Sequence, residues 1–125
     1  MNAEGVVDLL SPYSVAETVG RLQALLLAKG MKIFARIDQA AEAVAVGLTM
    51  RPTILILFGN PKAGTPLMEK FPSLAIDLPL KALIWESAEG KIFLTYTAPE
   101  FLQKRHGLPT VPFAQLPELF AAALK

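Results

Sequence analysis

A chain of 125 residues fits one domain, 1–125, and leaves no room for two ordinary ones. Apolar residues make up 53% of it and charged residues only 18%, so either the core is unusually rich or another subunit covers part of the apolar surface. Twelve Lys and Arg against eleven Asp and Glu leave a net charge of +1, too little to draw the chain onto nucleic acid or an anionic membrane. The absence of cysteine excludes disulfides, thiolate catalysis and cysteine metal sites.

Residues 4–10 read as a short edge strand. The first thirty residues carry no basic leader, and Glu4, Asp8, Glu17 and Arg21 interrupt their apolar stretches. No segment approaches the roughly eighteen apolar residues of a spanning helix, so a soluble cytoplasmic protein is the expectation. Ser14-Val15-Ala16-Glu17 is a capping box, and Val15, Val19, Leu22 and Leu26 then recur at helical spacing until Gly30, which predicts a helix over 15–29. Residues 31–37 alternate, with Ile33, Ala35 and Ile37 opposite Lys32, Phe34 and Arg36, as in a half-buried strand. Asp38 caps a short alanine-rich helix over 39–46, ended by Gly47.

Ile54-Leu55-Ile56-Leu57-Phe58 is apolar on both faces and predicts an interior strand over 53–58. It empties into Gly59-Asn60-Pro61-Lys62-Ala63-Gly64-Thr65, read as a polar turn, with a helix over 66–71 opening at Pro66. The glycine spacing is that of a P-loop, but the slot before Thr65 holds Gly64 instead of lysine, and Pro61 removes an N–H donor. Nucleotide hydrolysis of the usual kind is therefore not expected. A looser anion site with Lys62 as counter-charge stands beside the plainer reading of a structural turn.

Residues 80–86 and 91–97 are strands joined through Gly90; Pro99 opens a helix that stops at Gly107, and Pro117 opens a last one over 117–124. Asp77 is read as a turn carboxylate or a site residue, and Lys81 as a solvated or dimer-facing lysine or a ligand charge. Tyr96 is read as a packed ring or a ligand-binding hydroxyl. Lys104, Arg105 and His106 sit in a last helical turn, where cations oppose the dipole. One histidine excludes a multi-histidine metal site, and no metal is expected. The serines Ser11, Ser14, Ser73 and Ser87 show no nucleophile elbow, and that histidine would have to serve any of them.

Several of these stretches, in order, resemble the family called domain of unknown function 302, from about Ser11 to Leu108. They are Tyr13-Ser14-Val15 with Glu17-Thr18, Gly30 ahead of Ile33-Phe34-Ala35-Arg36-Ile37-Asp38, Phe58-Gly59-Asn60-Pro61-Lys62 with Gly64-Thr65, Ile76-Asp77-Leu78-Pro79-Leu80-Lys81, Gly90-Lys91, Tyr96, and Arg105-His106-Gly107-Leu108. The resemblance implies a compact α+β domain with an antiparallel sheet, similar to the TATA-binding-protein fold, and suggests a homodimer. It implies no reaction, and no cofactor is expected.

The element order itself points to an α+β fold: an antiparallel or mixed sheet of about five strands with helices mainly on one face. Three functional readings follow. The first is a binding module for a small anionic metabolite, with Asn60, Lys62, Gly64, Thr65, Asp77, Lys81 and Tyr96 around it. The second is a homodimeric or structural module without a small-molecule site. The third is an enzyme of unrecognised type using Asp77 or His106 for proton transfer, ranked last.

Overall fold

The computed structural model describes residues 3–125. Five strands, β1 (Val6–Ser11), β2 (Lys32–Asp38), β3 (Thr53–Gly59), β4 (Leu80–Glu86) and β5 (Ile92–Thr97), form one sheet in the order β1-β5-β4-β3-β2. Every neighbouring pair is antiparallel, as the α+β reading requires. Helix α1 (Val15–Ala28) follows β1 and α2 (Gln39–Ala45) follows β2. Helix α3 (Pro61–Lys70) and a 3-10 helix (Pro72–Asp77) link β3 to β4, and α4 (Pro99–His106) and α5 (Leu116–Ala123) close the chain.

Local chemistry sets most of these boundaries. The Ser14 hydroxyl accepts from the Glu17 amide at 3.1 Å, and Asp38 Oδ1 accepts from the Ala41 amide at 2.9 Å, so both caps form as their residue types dictate. Gly107 ends α4 at φ 65°, the left-handed conformation that glycine adopts without strain. The apolar stripe of α1 (Val19, Leu22, Leu26) meets Ile56 and Phe58 of β3, Ala82 and Ile84 of β4 and Leu94 of β5 in one core. Phe120 of α5 completes it, edge-on to Phe58 at 6.0 Å between ring centres and tilted against Tyr96 at 4.6 Å. Arg21 donates from Nε to the Ala123 carbonyl at 2.9 Å and tethers the end of α5 to α1.

Two local features depart from the periodicity. The register pairs Ile33 with Phe58 but Ala35 with Leu57 and Ile37 with Leu55. A bulge between 33 and 35 therefore leaves Ile33 on the helix-covered face and turns Ala35 and Ile37 to the other, so these three residues do not share a face. The second departure is at 59–65. Helix α3 begins at Pro61, five residues before the expected Pro66, so most of the expected polar turn is helical. Asn60 supplies the cap and Pro61 the preset first φ, while Pro66 is tolerated inside the helix.

The sheet is covered on one side only. On the other, register places Leu10, Phe93, Trp85, Leu83, Leu55 and Leu57 together, and none of them is buried. Trp85 and Phe93 stack at 5.2 Å, and the indole N–H donates to Thr95 Oγ1 at 2.8 Å.

Candidate functional site

Where β3 runs into α3, the chain leaves a cavity of about 300 Å³. Its walls are apolar and soft: Met31, Phe34, Met68, Leu78 and Phe113. Asn60 and Gln115 are the polar side chains among the lining residues. Gly64 forms part of the wall, and a Cβ there would stand 3.8 Å from Leu78 Cδ1 and from Met68 Cε, so glycine keeps that volume open. Phe113 holds φ 52°, a conformation that costs a bulky residue about 1–3 kcal/mol. It pays that strain while packing its ring between the core and the cavity.

Asn60 has already committed its cap. Its Oδ1 accepts from the Lys62 amide at 3.0 Å, and its carbonyl accepts from Ala63 and Gly64 at 3.0 and 2.8 Å. Pro61 has no N–H to offer. The first turn of α3 therefore presents no free backbone donor to an anion, and the polar capacity of the site rests on side chains.

Of the seven residues expected around a ligand, Asn60 and Gly64 line the cavity. Lys62 and Thr65 are exposed on α3 beside it. Lys81 lies on the uncovered face of the sheet and donates to the Pro79 carbonyl at 3.0 Å. Tyr96 packs into the core, where burial first and the charge of Glu100 second push its phenol above the ordinary 10.0. Asp77 takes part in a separate cluster on the 3-10 helix. Arg105 Nη1 donates to both of its carboxylate oxygens, at 2.9 and 3.2 Å, and His106 Nε2 bonds Oδ2 at 2.5 Å. His106 Nδ1 meets Ser73 Oγ at 2.7 Å. Dipole compensation at the end of α4 thus accounts for only part of the role of Arg105 and His106; they also clamp α4 to the 3-10 helix.

The apolar walls were not legible as a site. Met31 and Phe34 sit at β2, while Met68, Leu78 and Phe113 come from three further stretches, and each looks like ordinary core or surface in its own segment. No group of three or more His, Cys, Asp or Glu side chains able to hold a metal occurs among the described residues.

The chain is 45% identical over 104 residues to the Fluoride-specific ion channel FluC 1 of Brucella suis biovar 1 (strain 1330), a stretch covering 83% of this chain and 41% of that protein. It matches FluC 2 of Brucella melitensis biotype 1 at the same identity and length, over 38% of that protein. It therefore spans about two fifths of these curated relatives. The crystal structure of an uncharacterized conserved protein DUF302 from Bacillus stearothermophilus superposes with a TM-score of 0.82 at 18% identity, over 98% of this chain and 97% of that one, and so shares its fold. The family model described as Domain of unknown function DUF302 matches residues 7–125, beyond both ends of the Ser11–Leu108 stretch, and the chain belongs to that family.

Proposed function

We propose that this domain binds a small molecule in the cavity at the start of α3, with an apolar body among the methionine and phenylalanine walls and one polar or anionic end at Asn60. The observation that carries this reading is the cavity itself: it has the lower end of the size range of small-molecule sites, apolar walls and few polar groups. Lys62, exposed between the lining residues Pro61 and Ala63, supplies a charge beside an anionic end. Asp77, Lys81, Thr65 and Tyr96 take no part in it. Fluoride conduction, which the names of the Brucella relatives state, is not carried over: the match covers about two fifths of those proteins, and no described helix is long and apolar enough to cross a membrane. The test is thermal unfolding with octanol, octanoate and inorganic phosphate, on wild type, Gly64→Leu and Lys62→Ala. Stabilisation by octanol or octanoate that Gly64→Leu abolishes supports the cavity. No shift with either overturns it, and a phosphate shift lost in Lys62→Ala would return the site to the helix terminus alone.

The uncovered sheet face favours a second reading, a homodimer built on it. Leu10, 61% exposed, and the half-buried Leu55, Leu57, Leu83, Trp85 and Phe93 form a continuous apolar face. Leu83→Lys puts a charge amid that face. Wild type sedimenting as a dimer and the variant as a monomer supports the reading, and a monomeric wild type at high concentration removes it.

A further inference from the structure

We propose that Ser73, His106 and Asp77 form a nucleophilic relay, separate from the cavity, that makes Ser73 an acyl acceptor for short-chain carboxylic esters. The carboxylate of Asp77 can only accept, so the proton shared with it belongs to His106 Nε2. In the neutral ring that leaves Nδ1 with a lone pair, 2.7 Å from Ser73 Oγ and placed to accept its hydroxyl. The arrangement is that of a serine–histidine–carboxylate triad with the two ring nitrogens exchanged; such triads are defined by roles and geometry, not by sequence position.

The three groups are placed as the chemistry needs. The imidazole is sealed in, with its side chain 4% exposed, and Arg105 grips both oxygens of Asp77, so ring and carboxylate are held in register. Ser73 is exposed, open to an incoming carbonyl. Side chains three apart eclipse on a 3-10 helix, so Ile76, 72% exposed, stands over Ser73 and offers a short acyl chain an apolar ledge. Ser73, Asp77 and His106 are not among the residues lining the cavity at the start of α3, so the substrate is a small ester that reaches the exposed Ser73 directly.

In the reaction, Ser73 Oγ bonds the ester carbonyl carbon while its proton passes to His106 Nδ1. The bond to the leaving alcohol then breaks, and that alcohol takes the proton from Nδ1. Water, deprotonated by the same nitrogen, releases the carboxylic acid and regenerates the serine. Ser73 and His106 are the catalytic residues; Asp77, acting through His106, is a positioning residue.

The experiment is acetylation by p-nitrophenyl acetate, with each site quantified by peptide mass spectrometry on wild type, Ser73→Ala and His106→Ala. Ser87, a half-exposed hydroxyl that accepts from the Lys91 amide at 3.1 Å, is the internal reference. The expected result is acetylation of Ser73 at least about tenfold faster than Ser87, which corresponds to about 1.4 kcal/mol of barrier. In His106→Ala the two rates converge, and added imidazole restores that of Ser73 alone, which a purely structural role would not produce. Equal rates in wild type, or an undiminished Ser73 rate in His106→Ala, overturn the proposal.

Discussion

The buried hydroxyl pair behind the first helix offers a sharp test of how this fold treats polar groups. Thr18 is fully buried and Ser11 nearly so, and their oxygens lie 2.7 Å apart. Thr18 Oγ1 donates to the Ser14 carbonyl at 2.7 Å, so its one proton is spent and Ser11 must be the donor between the two hydroxyls. Ser11 Oγ in turn accepts from the Tyr13 amide at 3.2 Å. Thr18→Val keeps the side-chain shape, and the Ser14 carbonyl keeps the bond from the Thr18 amide. What is lost is the acceptor for the Ser11 proton, in a place water does not reach. An unmet buried donor costs about 1–3 kcal/mol. In a domain of this length each kcal/mol moves the melting midpoint by about 3–6 °C, so the variant should melt several degrees lower. Ser11→Ala removes the stranded group as well. The double variant should therefore be more stable than the sum of the single effects by about 0.5–1.5 kcal/mol, read from urea unfolding as a double-mutant cycle. Additivity of the two substitutions would refute the assignment of donor and acceptor.

Three further outcomes follow from the same geometry. Gly5→Ala places a methyl within 2.8 Å of three ring atoms of Phe101 at φ 75°, and thermal unfolding should show a loss of about 2–4 kcal/mol from overpacking plus backbone strain. Gly64→Ala meets only ordinary contacts inside a helix, so it should stabilise by up to about 1 kcal/mol in the same assay. For Tyr96, burial and then Glu100 raise the folded pKa above 10.0, so the native state keeps its proton longer than the unfolded chain. The stability from this is fully present below 10.0 and declines as pH rises beyond it; urea unfolding should show a steeper decline in wild type than in Tyr96→Phe.

Most of the elements were legible in the chain because their signals are local; the 3-10 helix over Pro72–Asp77 and the early start of α3 were not. The Ser14 and Asp38 caps, the helical spacing of Val19, Leu22 and Leu26, and Gly107 at a helix end depend on residues within a few positions of one another. The family stretches lay in the chain for the same reason. Features that join distant segments came only from the folded chain. The bulge in β2 depends on its pairing with β3, and without it Ala35 and Ile37 cannot be assigned to the open face. Asn60 and Thr65 are both cap-type residues ahead of a proline, and in the folded chain it is Asn60 that caps the helix, with Pro66 taken into its interior. Ser73 and His106 are 33 positions apart in the chain, so their contact exists only because α4 docks on the 3-10 helix. A cavity has no sequence signature at all: it is the space that apolar side chains from four separated stretches fail to fill once the sheet and helices have closed around them.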